Sequence, residues 1–212
     1  MGEKTAKLLS ILKLQPVVPV LIVEDAKSAV PLARALVAGG LKAIEITLRT
    51  AGALDAIRAV AEEVEGAEVG AGTILNVAQW DAAVEAGSKF IVSPGTTQEL
   101  LDAARSSHVP LLPGAATASE VMALREEGYT VLKFFPAEQA GGAAYLKALS
   151  SPLAGTIFCP TGGISLKNAH DYLSLPNVVC IGGSWVAPKE LVTACDWAGI
   201  TKLAAEAAAL KG

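Results

Sequence analysis

Along the chain, apolar and polar residues switch between two kinds of pattern. Short runs rich in β-branched and apolar residues occur at VVPVLIV (17–23), AIEITL (43–48), EVGAGTI (68–74), KFIVSP (89–94), VPLLPGA (109–115), VLKFFP (131–136), TIFCPTG (156–162) and VVCIGG (178–183), their starts 20 to 26 residues apart. Between them apolar residues recur every three to four positions, the spacing of a helix with one buried face. In AKSAVPLARALVAGG (26–40), Val30, Leu32, Ala33, Leu36 and Val37 fall in one stripe; NVAQWDAAVEAG (76–87) and TASEVMALREEG (117–128) behave likewise. Several of these segments close on a glycine, where a helix C-terminus takes a left-handed residue.

Eight strand–helix units with near-continuously apolar strands predict an α/β fold whose parallel sheet is covered by helices. No run is marked as an edge strand, so the expected architecture is a single (β/α)8 TIM barrel, near the lower length limit for that fold. The opening MGEKTAKLLSILKLQ (1–15) reads as an additional N-terminal helix able to plug the barrel's bottom, which leaves 16–212 for the barrel. No linker, charge block or low-complexity segment divides residues 1–212, so one domain is expected.

Composition narrows what such a protein does. Apolar residues make up 52% of the 212 residues and charged ones 18%, which argues for a well-buried body. The net charge of −4, without a Lys/Arg cluster, gives no footprint for a nucleic acid. The longest uncharged stretch, 148–166, contains Pro152, Pro160 and several glycines and does not read as a membrane span; nor does the N-terminus read as a secretory signal. Three cysteines (Cys159, Cys180 and Cys195) without CxxC spacing suggest reduced thiols and a cytoplasmic location. His108 and His170 have no carboxylate cluster with them, so no metal ligand set is expected.

Two charged residues break the strand pattern. Lys133 sits in the middle of VLKFFP, on the same face as Val131 and Phe135 by strand alternation. If that face is the barrel interior, desolvation disfavours the ammonium, and a neutral amine is a nucleophile for ketones. The plainer alternative is a lysine that snorkels to the barrel mouth. In AIEITLRT, Glu45, Thr47 and Arg49 share one face and Ile44, Ile46 and Leu48 the other. Glu45 and Arg49 stand about 13 Å apart along an extended strand, so each is free to serve something else. A buried polar network is the alternative there. Glu45 is the only acidic residue in the middle of a predicted strand, which makes it the proton-transfer candidate.

The hydroxyl of Thr73, on the face of Val69 and Ala71 at the end of the third strand, is placed to bond a carboxylate. The glycines beside it lack the third glycine of a dinucleotide fingerprint. The last two strands end in PTGGIS (160–165) and IGGSW (181–185). Paired glycines there suit a phosphate held by backbone N–H groups, against the alternative of ordinary tight turns.

Taken together, PVVPV (16–20), ARALVAGG (33–40), EITLRT (45–50), GAGTILN (70–76), SPG (93–95), LLPG (111–114), KFFPAE (133–138), FCPTGGIS (158–165) and CIGGSW (180–185) resemble the 2-keto-3-deoxy-6-phosphogluconate (KDPG) and 4-hydroxy-2-oxoglutarate (KHG) aldolases over nearly the whole chain. The resemblance implies a class I aldolase, with Lys133 as Schiff-base lysine and Glu45 as general acid/base. It puts Arg49 and Thr73 at the pyruvyl carboxylate, Thr161 at the substrate hydroxyls, and Gly162, Gly163, Gly182, Gly183 and Ser184 at the phosphate. Pro94 of SPG and Phe135 of KFFPAE join the substrate-binding set. No cofactor and a homotrimer are also implied. AEQAGG (137–142) reads as a departure from the family's AEANGG and is expected to alter a loop. Aldol cleavage of the galactonate epimer, or a phosphosugar isomerase on the same barrel, are the alternatives.

Overall fold

The computed structural model describes residues 2–210. Met1, at the head of the expected N-terminal helix, and Lys211 and Gly212, at the end of the expected domain, lie outside the described residues. The chain opens with helix α1 (Glu3–Leu12) and runs through β1 (Val17–Leu21), α2 (Ala26–Ala38), β2 (Ala43–Thr47), α3 (Ala53–Glu63), β3 (Glu68–Gly72), α4 (Val77–Glu85), β4 (Ile91–Val92) and α5 (Gln98–Ser106). It continues through β5 (Leu111–Leu112), β6 (Gly114–Ala115), α6 (Ala118–Glu126), β7 (Val131–Phe134), α7 (Gly142–Leu149), β8 (Ile157–Pro160), α8 (Ala169–Leu173), β9 (Ile181–Gly183), α9 (Lys189–Thr193) and α10 (Trp197–Ala208).

Every strand pair is parallel. One sheet has the order β5-β4-β3-β2-β1-β9 and a second the order β6-β7-β8. Isolated parallel bridges, Phe158 with Val178 and Thr161 with Gly182, lie between β8 and the β9 region. The result is an α/β fold on a curled parallel sheet, with a helix ahead of the first strand. The predicted run 109–115 emerges as two strands because Pro113 has no N–H to offer a ladder. β5 pairs with β4 before it and β6 with β7 after it, while the Pro113 carbonyl accepts from the Lys133 N–H at 2.9 Å.

Strand alternation sorts the core into two clusters. Ile44, Ile46, Val69, Ala71, Leu132 and Phe134 pack with the apolar stripes of the helices, and Val18, Ala43, Val92, Val131, Cys159 and Cys180 form a second cluster on the opposite face of the strands. To this inner cluster α1 contributes Leu8, Leu9, Ile11 and Leu12, all buried. Each such side chain contributes about 1.5–3 kcal/mol when taken out of water, so the amphipathic start of the chain closes the N-terminal end of the sheet. Helix boundaries follow local chemistry. Asp25 and Asn76 cap α2 and α4, Thr117 and Glu120 form a capping box on α6, and Gly40, Gly87 and Gly128 follow these three helices with positive φ.

The junction between α1 and β1 depends on one side chain that the sequence pattern does not mark. Gln15 is 5% exposed; its amide nitrogen donates to the carbonyls of Val17 (3.0 Å) and Ala43 (2.7 Å), and its oxygen accepts from the N–H groups of Lys42 (2.6 Å) and Ala43 (2.9 Å). It thereby ties β1 to the start of β2. Gln15→Ala leaves buried backbone groups without partners and is expected to cost about 3 kcal/mol. Thermal unfolding followed by circular dichroism should show a midpoint roughly 6–12 °C lower.

Candidate active site

β2 and β7 lie far apart in sequence, and the curl of the sheet brings their inner faces together. Glu45 and Lys133, 88 positions apart, meet there: Nζ of Lys133 donates to Oε1 of Glu45 at 3.2 Å, with side chains 6% and 4% exposed. The snorkelling alternative for Lys133 does not describe this geometry, since the amine stays inside. The Nζ also lies 5.5 Å from the centroid of the Phe135 ring, within range of a cation–π contact. Glu45 fits because β3 presents Gly72 beside it: a Cβ at position 72 would sit 2.0 Å from Oε1. A mid-strand glycine of this kind marks a close approach. The sequence carries that signal in GAG (70–72), two glycines two positions apart on one face of the strand.

Arg49 and Thr73 form a second pair just beyond the ends of β2 and β3. Nε of Arg49 donates to Oγ1 of Thr73 at 3.0 Å. Strand alternation would put Thr73 with Val69 and Ala71, which pack among the helices. Its backbone instead turns left-handed, with φ 60, and this breaks the alternation so that the hydroxyl meets Arg49.

A cavity of about 650 Å³ opens beside these pairs, with Arg49, Phe135, Thr161, Gly162, Gly182 and Ser184 in its wall. Gly163 is in the wall as well; Lys133, Glu45, Thr73, Pro94 and Gly183 are not. Lys133 reaches the cavity by way of Phe135, two residues on, whose ring lies 5.5 Å from Nζ and stands in the wall. Pro94 is half-buried with its carbonyl against Gly114, the ladder partner of Lys133. Gly183 faces away: a Cβ there would strike the ring of Trp185. A Cβ on Gly182 would strike the Thr161 hydroxyl, whose oxygen is buried without a partner among the described residues. Sequence reasoning missed the far wall, formed by Leu21, Ile22 and Val23 at the end of β1, and Lys189 of α9. A strand end followed by Glu24 and Asp25 was the available sign.

The loop after β8 has a directional peptide arrangement. The carbonyls of Thr161, Gly162 and Gly163 accept from Ala137 N–H (2.8 Å), Glu138 N–H (3.1 Å) and the Asn168 side-chain amide (3.2 Å). The N–H groups of Gly163 and Ile164 have no acceptor among the described residues, whereas the Gly162 N–H faces the Gly182 carbonyl in the parallel bridge of Thr161 with Gly182. Successive free N–H groups of this kind make an anion-binding concavity. Cys159 and Cys180, with sulfurs 3.5 Å apart, belong to the inner core; their mutual hydrogen bond and burial push the Cys180 thiol up, so it packs as a neutral group.

A curled parallel sheet with a buried amine–carboxylate pair, and a cavity beside the C-terminal ends of its strands, defines an enzyme that works on a small molecule. Comparison with known proteins narrows the class. The chain belongs to the KDPG and KHG aldolase family, whose sequence model matches residues 8–203; it is thus a carbon–carbon lyase. It is 53% identical over 194 residues to the 2-dehydro-3-deoxy-phosphogluconate aldolase of Pseudoalteromonas atlantica (92% of this chain, 90% of that one), and 52% identical over 198 residues to the KHG/KDPG aldolase of Escherichia coli K12 (93% of each). Among solved structures, the KDPG aldolase of Legionella pneumophila, with pyruvate captured as a covalent carbinolamine, superposes with a TM-score of 0.93 at 42% identity, covering 98% of this chain and 99% of that one. The Zymomonas mobilis ZM4 aldolase, solved with 3-phosphoglycerate, gives 0.91 at 50% identity and 95% of each.

The clearance at Gly72 yields a test of the site. Gly72→Ala should push the Glu45 carboxylate off its place, and displacements near 1 Å cost about 10²-fold in rate. Steady-state aldol cleavage should fall by that order while the far-ultraviolet circular dichroism stays unchanged.

Proposed function

We propose that the chain is a class I aldolase that cleaves 2-keto-3-deoxy-6-phosphogluconate reversibly to pyruvate and D-glyceraldehyde 3-phosphate in the Entner–Doudoroff pathway, and also 4-hydroxy-2-oxoglutarate to pyruvate and glyoxylate. The observation that carries it is the buried contact between Lys133 Nζ and Glu45 Oε1 beside the cavity. Proton transfer across that contact leaves a neutral amine, which attacks the C2 ketone of the substrate. Glu45 returns its proton to the carbinolamine hydroxyl, which leaves as water; this gives an iminium and restores the Glu45 carboxylate. Glu45 takes the C4 hydroxyl proton, the C3–C4 electron pair moves toward the iminium, and the aldehyde leaves. The remaining enamine is protonated at C3, and water hydrolyses the iminium to pyruvate and free Lys133. The iminium is itself the electron sink, so the reaction needs no metal or organic cofactor.

Arg49, with its guanidinium N–H groups beyond Nε left over from the Thr73 contact, suits the carboxylate. Phe135 and Pro94 flank the reacting carbon, and Thr161 offers its unpartnered hydroxyl to the substrate's own hydroxyls. Gly162 and Gly163, in the loop that leaves the N–H groups of Gly163 and Ile164 free, take the phosphate with Gly182 and Ser184 opposite, supplying binding energy that orients C2 at the amine. Gly183 serves this end by letting Trp185 pack. The gluconate epimer is favoured over the galactonate one because a native KDPGal structure lies further off, at TM-score 0.77 and 29% identity. An isomerase has no support within this family.

The same reading takes the described residues as one domain, a closed (β/α)8 barrel from residue 16 onward preceded by the N-terminal helix. The Thr161–Gly182 and Phe158–Val178 bridges and the Lys133 N–H bond to Pro113 support closure, since they join the two sheets at both seams. It also takes in a cytoplasmic homotrimer. Ile22 and Leu75, both more than half exposed, offer apolar surface for a subunit contact. No helix among the described residues is long and apolar enough to cross a membrane.

Borohydride reduction in the presence of pyruvate, followed by peptide mass spectrometry, should place a stable pyruvyl adduct on Lys133. Lys133→Ala should carry none, and an adduct on another lysine overturns the assignment. Glu45→Gln should still be trapped, with kcat lowered about 10²- to 10⁴-fold.

A further inference from the structure

We propose that Glu138 and Tyr172 form a positioning pair that holds the loop after β8 with its N–H groups toward the cavity, and thereby sets a preference for phosphorylated over unphosphorylated 2-keto acids. The proposal rests on the function inferred above and adds two residues that neither touch the cavity nor stand in its wall.

The peptide planes of residues 161–164 can face two ways. With carbonyls toward the cavity the loop repels an anion; with N–H groups toward it the loop binds one. The direction is settled from behind by the 137–142 segment. Ala137 and Glu138 give their N–H groups to the carbonyls of Thr161 and Gly162, and Asn168 gives its amide to Gly163. The Glu138 side chain then runs across the back of Gly163, where a Cβ would meet its Cγ and Cβ at 2.7 and 2.8 Å. Only a glycine lets the chains approach so closely.

The far end of Glu138 is anchored in turn. The hydroxyl of Tyr172, a fully buried residue of α8, donates to Glu138 Oε1 in a short contact. Burial and the neighbouring carboxylate hold that hydroxyl well above its ordinary range, so it stays a donor at any physiological pH. Glu138 is otherwise exposed, with no salt bridge among the described residues. The anchor has an electrostatic side too. A free carboxylate beside a phosphate cradle repels the ligand; tied to Tyr172, it is held on the side away from the cavity.

Two separable consequences follow from removing the hydroxyl. The loop loses its rear support, and the carboxylate becomes free to swing toward the bound anion. Both weaken phosphate binding, and neither touches the chemistry at Lys133. Tyr172→Phe should therefore raise KM for the phosphorylated keto acid about 5- to 10-fold, the net size of one ordinary hydrogen bond. KM for 4-hydroxy-2-oxoglutarate, and kcat on both substrates, should stay within about twofold. Glu138→Gln retains an oxygen that accepts from Tyr172 and discards the charge, so it should leave KM for the phosphorylated substrate at or below the wild-type value. Glu138→Ala loses the support without freeing a charge, so its KM for the phosphorylated substrate should lie between those of the wild type and Tyr172→Phe.

Steady-state kinetics of the three variants and the wild type on both substrates decide the matter. A merely structural role would lower kcat or raise both KM values together, and that pattern overturns the proposal. So does an unchanged KM in Tyr172→Phe while the wild type still prefers the phosphorylated acid; the function inferred above then stands. A wild type without that preference overturns the proposal alone, and a wild type that cleaves neither acid overturns both.

Discussion

An amine and a carboxylate taken out of water within 3.2 Å of each other are the constraint around which this molecule is arranged. Each charge costs several kcal/mol to desolvate, and the pair recovers that cost only where geometry is good and neither partner is left alone. Such a pair makes a poor stabiliser and a useful reagent. A proton moved from Nζ to Oε1 turns two buried ions into two buried neutral groups, one of them a nucleophile. The surroundings serve that end. Gly72 makes room for the carboxylate, Phe135 covers the amine, and the inner cluster, closed at its lower end by α1, keeps the remaining depth of the sheet apolar.

Holding this pair requires a stiff wall, since β2 and β7 approach only through the curl of the whole sheet. The wall is stiff for local reasons: ladders in unbroken parallel register across β1, β2 and β3, helices capped by Asp25, Asn76 and Thr117, and the four bonds of Gln15 at the first strand junction. Polar groups that the sheet does not need are concentrated at the C-terminal ends of its strands, where Arg49, Thr73 and Thr161 stand. The fold thus separates a lower half that carries stability from an upper rim that carries chemistry.

The two residues at the centre were legible because each violates its strand. Lys133 and Glu45 stand out in runs that are otherwise apolar, and alternation places both on the inner face. Their partnership was not legible: nothing in a sequence sets the distance between positions 88 apart. Alternation failed where the backbone leaves the strand region, at Thr73 with its left-handed φ, and where a residue lacks an N–H, at Pro113, which splits one expected strand into two. The paired glycines were legible as a pattern but not as separate roles. Gly182 faces the cavity, whereas Gly183 faces Trp185, and the repeat GG conceals the difference.

Peptide orientation was the least visible property of all. Whether a Gly-Gly turn shows carbonyls or N–H groups to a ligand depends on which distant groups claim its carbonyls. Here the claimants are the backbone of Ala137 and Glu138 and the side chain of Asn168. A division of labour follows. The strands fix what is done to the keto acid, because Lys133 and Glu45 belong to ladders that cannot shift without loss of the sheet. The loops fix which keto acid is taken, because their peptide planes are held by a few side chains outside the cavity. Changes in segment 137–142, including its AEQAGG, therefore bear on substrate length and charge before they bear on bond cleavage, and two members of the family with the same strand residues are free to differ in what they prefer to cleave.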